Sequence, residues 1–140
     1  MKMLAQYVLS IILLCLATVS TANDLLMIRS QQSFPEAMLT LQTSIKEHGY
    51  QVLRVQRIDI GLTGMGYETD KYRIVFVGKT EEIQYLINTY PVLAAYMPPQ
   101  ISIYAEQDET LLVTANPMFY ADMIDNEKDK VFFKRWKNDI

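Results

Sequence analysis

The stretch ISIYAEQDETLLVTA, residues 101–115, decides the fold. Two strand-forming runs, Ile101 to Glu106 and Thr110 to Ala115, flank the polar Gln107-Asp108-Glu109, a pattern that predicts a β-hairpin. Asn116 and Pro117 follow at once, a helix-capping residue and a proline at the first helical position, so a C-terminal helix opens over 117–138. Its acids (Asp122, Asp125, Glu127, Asp129) mostly precede its bases (Lys130, Lys134, Arg135, Lys137), the order that complements a helix dipole. Its apolar residues drift around the axis, which predicts a break near Asn126.

Outward from the hairpin, Tyr72 to Val77 is apolar at nearly every residue, as in a central strand. Thr80 is placed to cap a short helix over Glu81 to Asn88, with Ile83, Leu86 and Ile87 as its buried stripe and Pro91 as its end. Val92 to Met97 predicts one more helical turn before Pro98-Pro99. Further upstream, Ser33 and Glu36 stand in capping-box spacing, with Pro35 in the first turn. Phe34, Ala37, Met38, Leu41, Ile45 and His48 then recur at helical intervals up to Gly49, a glycine suited to a left-handed cap. Leu25 to Ile28 and Tyr50 to Ile58 read as strands. Gly61 to Gly66 reads as a loop with at most one helical turn.

The joints of this pattern resemble the domain of unknown function 302 family. The residues that carry the likeness are Gly49-Tyr50 after the first helix, Gly78 closing the hydrophobic strand, Tyr90-Pro91 leading to Met97-Pro98, the strand Ile101 to Glu106, and Asn116-Pro117 after the hairpin. They span about residues 34–120. The resemblance implies an α+β fold of the TBP-like kind: a curved, mostly antiparallel sheet of about five strands with helices on one face, in the order β-α-β-β-α-β-β-α. It implies no activity, and it admits a homodimer.

Residues 1–22 carry an address. Lys2 precedes an uncharged apolar run from Leu4 to Val19, and Ser20-Thr21-Ala22 supplies the small residues of a cleavage site, the pattern of a secretory signal peptide. The run, about 16 residues, falls short of the ~20 that a bilayer-spanning helix needs. Cleavage after Ala22 predicts a periplasmic or secreted protein whose single domain covers 23–140. The only cysteine, Cys15, leaves with the peptide, so the remainder has no disulfide, thiol nucleophile or thiolate metal ligand. The net charge of −3, with acids spread along the chain, argues against nucleic acid or an anionic membrane as a partner.

The catalytic motifs are incomplete. Gly78-Lys79-Thr80 ends like a phosphate loop, yet Arg73 stands where that motif needs its first glycine. His48 is the sole histidine and suits an interaction with the last carbonyls of its helix. An alternative role for it is as an axial haem or copper ligand, with Met97 as a thioether partner. Asp59, Glu68 and Asp70 around the glycine-rich loop are the candidates for a carboxylate-dependent hydrolase. The aromatic and basic run Val131 to Lys137 fits a partner surface or a peripheral membrane contact by the C-terminal helix. Tyrosine is abundant, and Tyr72, Tyr96 and Tyr104, with Glu106, are the expected lining of a groove for a small ligand or an envelope protein. The reading is of a non-catalytic binding module with no cofactor.

Overall fold

The computed structural model describes residues 24–140; the expected signal peptide lies outside the described residues. Five strands form one open antiparallel sheet: β1 (Leu25–Ser30), β2 (Gln51–Arg57), β3 (Tyr72–Gly78), β4 (Gln100–Glu106) and β5 (Glu109–Ala115), in the order β1-β5-β4-β3-β2. The hairpin forms as its sequence predicts, with Glu106 opposite Glu109 and Gln107 at φ 56° in the two-residue turn. The remaining elements are α1 (Phe34–Glu47), α2 (Ile58–Gly64), α3 (Thr80–Thr89), a 3-10 helix (Pro91–Ala95), α4 (Pro117–Ala121) and α5 (Lys130–Asp139).

Helix α1 starts where Glu36 accepts hydrogen bonds from both the Ser33 backbone N–H, at 3.1 Å, and the Ser33 hydroxyl, at 2.7 Å. Those donors hold the Glu36 carboxyl below its ordinary pKa, the Ser33 hydroxyl contributing most. At the far end Gly49 takes φ 76°, and the Tyr50 N–H reaches back 2.9 Å to the Ile45 carbonyl. That left-handed reversal, which glycine adopts without strain, turns the chain straight into β2. Between its ends α1 presses Ala37 and Ile45 onto Val75 and Ile103 of the sheet.

The second cluster gathers at one end of the sheet. Leu86 of α3, Leu93 of the 3-10 helix, Tyr120 and Ala121 of α4, Ile124, and Phe133 and Trp136 of α5 are all buried together. Tyr50 packs against both clusters. Helix α5 is held to α3 by a polar seam: Asp129 accepts from the hydroxyls of Tyr90 (2.6 Å) and Tyr85 (3.2 Å), while Glu82 pairs with Arg135 and accepts from the Trp136 indole at 3.2 Å. Phe133 and Trp136 thus pack internally, while Val131 stays exposed. No helix among the described residues is long and apolar enough to cross a membrane.

Two local expectations need correction. Residues 58–64 form a two-turn helix rather than a loop. Its first turn is pinned by the Asp59–Arg73 ion pair, a tertiary contact that outweighs the poor helix propensity of Gly61. Lys79, not Thr80, occupies the cap position of α3, and the Thr80 hydroxyl donates to the Gln51 side chain at 3.0 Å. The C-terminal segment breaks as expected into two helices: after α4 the chain turns through Asn126, whose side-chain oxygen accepts from the Lys128 N–H at 3.0 Å. The cap that opens it is as expected, with Asn116 accepting from the Met118 N–H at 3.1 Å.

Candidate functional site

One row of residues crosses the helix-bearing face of the sheet, with Ile103 opposite Leu112 and Leu112 opposite Ile28. Directly opposed residues share a face. Cover is lost along this row, because Ile103 is sealed under α1 whereas Ile28, on the edge strand, is 65% exposed. Helix α1 lies over the middle of the sheet and α5 packs at its end, so among the described residues Leu25, Met27 and Ile28 of β1 stay exposed. The gap is a groove of about 490 Å³ between the C-terminal halves of α1 and α5, floored by β1 and β5.

Its walls are mainly aliphatic: Leu26, Ile28, Leu41, Ile45, Leu112 and the Trp136 ring all face it. Polar groups gather at the mouth, where Ser44, His48, Tyr50, Lys137 and Asp139 line it. The Tyr50 hydroxyl donates to Asp139 at 2.5 Å. Burial, reinforced by that hydrogen bond, pushes the phenol up to about 12, so it remains a donor throughout the physiological range. The Lys79 ammonium stands 5.1 Å from the centre of the Tyr50 ring. Lys137 has no hydrogen-bond or ion-pair partner among the described residues.

His48 ends α1 as expected, its Nδ1 donating to the Ser44 carbonyl at 2.8 Å. A carbonyl oxygen can only accept, so this bond places a proton on Nδ1. Met97 lines a different recess from the one His48 lines, so the structure does not bring the two together as a ligand pair. Among the described residues no three His, Cys, Asp or Glu side chains converge on a metal position. Asp59 is occupied by Arg73, whose guanidinium holds the carboxyl below its ordinary range, so this acid acts as a tether for α2.

None of Tyr72, Tyr96, Tyr104 and Glu106, expected to line a groove, borders this one. Tyr72 and Tyr104 are cross-strand neighbours in an edge-to-face pair with centroids 5.8 Å apart. They lie on the sheet face opposite Ile103, since successive strand residues point to opposite sides. Glu106, on the same face, pairs with Arg29 at 3.0 Å. Tyr96 stacks edge-to-face on Phe119 beside a smaller recess of about 330 Å³ that also takes in Phe76 and Ser102. Sequence reasoning selected this open face and passed over the groove. A usable signal was present: Ile101 and Ile103 mark the covered side of β4, and by alternation Tyr104 and Glu106 must face the other way.

These features define an α+β domain whose helices cover one face of an open antiparallel sheet incompletely, leaving a built groove at its edge. The chain belongs to the DUF302 family, a domain of unknown function, whose sequence profile matches residues 26–133. The fold is also that of the uncharacterized conserved protein DUF302 from Bacillus stearothermophilus, known as a crystal structure. That protein is 17% identical, with a TM-score of 0.71 over 82% of this chain and 91% of the other. No curated protein matches the chain.

Proposed function

We propose that this chain is a non-catalytic binding module of the cell envelope that holds a small, largely apolar ligand in the groove between α1 and α5. The observation that carries the reading is the groove itself. At about 490 Å³ it falls within the range of small-molecule sites, and it combines aliphatic walls with a few polar groups gathered at one end. The sheet provides a rigid floor, and the seam from Asp129 and Glu82 to their partners fixes the α5 wall. Export is supported by Lys2, the apolar run 4–19 and the small residues 20–22. The mass of protein recovered from the envelope of an expressing bacterium should correspond to a chain beginning at Asn23; recovery of an intact N-terminus would remove the export reading.

Nile red, a neutral apolar dye, tests the groove. Its fluorescence should rise saturably on titration with the protein. Ser44→Phe, which fills the groove from α1, should abolish the rise without lowering the melting temperature. Tyr104→Ala on the opposite face should leave it unchanged. Enhancement that survives Ser44→Phe and disappears in Tyr104→Ala would transfer the binding role to the open face.

A further inference from the structure

We infer that the outer edge of β1 pairs with β1 of a second copy, antiparallel and centred on Met27, so that two sheets join into one across a twofold axis. The inference does not depend on the groove reading, since strands joined edge to edge add no layer above Ile28.

The two edges of the sheet are built differently. Strand β2 is guarded: its register with β3 skips Leu53, and it carries Arg54 and Arg57. A bulge and charged side chains are usual means of keeping an edge from pairing. Strand β1 has neither a bulge nor a proline, and it pairs residue for residue with 110–115. Its one charged residue, Arg29, is engaged by Glu106 at 3.0 Å, while Leu25, Met27 and Ile28 are each more than half exposed. The backbone of β1 also faces outward in a definite pattern. The Asn116 N–H donates to the Asp24 carbonyl at 2.7 Å, which makes residues 24 and 116 a hydrogen-bonded pair. Bonded and non-bonded pairs alternate along an antiparallel ladder, so Leu26 and Ile28 turn their polar backbone groups towards β5. Those of Leu25, Met27 and Arg29 point away from it, and among the described residues no strand stands on that side.

The strand is its own complement. A twofold axis along the sheet normal keeps each face continuous, so residues of one face oppose residues of the same face. With Met27 opposite Met27 of the second copy, Leu25 meets Arg29 and Leu26 meets Ile28. Every outward N–H and C=O of residues 25, 27 and 29 then finds a partner. Any other register on the same faces carries some of these groups beyond the end of the facing strand. Apolar side chains meet at the centre, Leu25 lies along the aliphatic stem of Arg29, and no like charges are opposed. The segment opens with the acid Asp24 and closes with the base Arg29, so antiparallel pairing sets the acidic end of each copy beside the basic end of the other. A second copy is therefore the occupant that satisfies this edge.

Sedimentation velocity of the purified protein should show a monomer giving way to a dimer as concentration rises, as expected of the small interface that one pair of strands makes. Met27→Lys sets two ammonium groups face to face on the axis and should weaken the dimer at least about tenfold, most strongly at low salt. Its circular dichroism should match wild type, because Met27 is exposed in the monomer. Met27→Pro should abolish the dimer: that N–H points away from β5, so its loss spares the internal ladder and removes a bond across the axis. Cross-linking reads the register, in a Cys15→Ser background where an introduced thiol is the chain's only one. With copper–phenanthroline and air as oxidant, Met27→Cys should give a disulfide-linked dimer, its two Cα atoms about 5.5 Å apart. Ile28→Cys, diagonal to its counterpart at about 7–8 Å, should not. A protein that stays monomeric at every concentration would overturn the inference. So would a dimer that survives both Met27→Lys and Met27→Pro, or one that cross-links through Ile28→Cys in preference to Met27→Cys.

Discussion

Ile103 and Ile28 belong to one row on one face of the sheet, with only Leu112 between them, yet the first is wholly buried and the second is 65% exposed. Their side chains are identical and their strands both well paired, so the difference lies in what stands above them. Helix α1 seals Ile103 into the cluster with Ala37, Ile45 and Val75, whereas among the described residues no helix covers Ile28 in that way. An apolar residue pointing to the covered side but left without cover marks where this fold has room. The contrast also separates two roles for the same residue type: at the centre of the row isoleucine holds the domain together, and at its edge it offers surface.

The sharpest way to break the comparison is to truncate both residues. Ile103→Ala should remove about 2–5 kcal/mol of unfolding free energy in urea denaturation, because a rigid, sealed site cannot collapse around the lost atoms. Ile28→Ala should change stability by no more than about 0.5 kcal/mol, as for most exposed positions, yet weaken Nile red binding measurably. Equal destabilisation by the two would show that β1 is covered in solution, and the groove reading would fall.

A smaller loss is expected from Gly78→Ala. The backbone there has φ 155°, and a Cβ would collide with the Ile83 side chain at the start of α3. Overpacking of this kind costs about 1–3 kcal/mol, and the added strain of the backbone works in the same direction. The glycine that ends β3 before Lys79-Thr80 is therefore required by strand-to-helix packing, which gives a structural reason for the incomplete phosphate-loop motif. A wild-type denaturation midpoint in Gly78→Ala would show that Ile83 yields without cost.

Local features of the fold were legible in the sequence, whereas the groove was not, for one physical reason. The hairpin, the Asn116 cap and the Gly49 reversal are each decided within a few residues by alternation, side-chain capping or φ preference, so the chain announces them. The family resemblance rested on those same joints and led to the right sheet and the right side for the helices. The groove depends instead on where α5 docks. That is set by Tyr85 and Tyr90 reaching Asp129 across about forty residues, and by Glu82 meeting Arg135 across more than fifty. No local pattern encodes a gap between elements, and the abundance of tyrosine directed attention to the side with the smaller recess. Helix α2 was missed on the same grounds, since the Asp59–Arg73 tether that secures it joins residues of different elements.

The smallest expected effect tests the seam between the two halves of the face, where Tyr50 touches both clusters and donates to Asp139. Its pKa rises from an ordinary 10.0 to about 12 on folding, chiefly through burial and then through the Asp139 hydrogen bond. The folded state therefore favours the protonated phenol. Its contribution to stability is fully present below pH 10, where both states hold the proton, and is lost as pH climbs towards about 12 and the unfolded chain ionises first. Tyr90 and Tyr120 are raised as well, so the informative quantity is the difference between wild type and Tyr50→Phe. The wild-type denaturation midpoint should fall faster than that of Tyr50→Phe over this alkaline window and run parallel to it between pH 7 and 9. Parallel curves throughout would place the Tyr50 hydroxyl in water, and with it the polar end of the groove would lose its fixed donor.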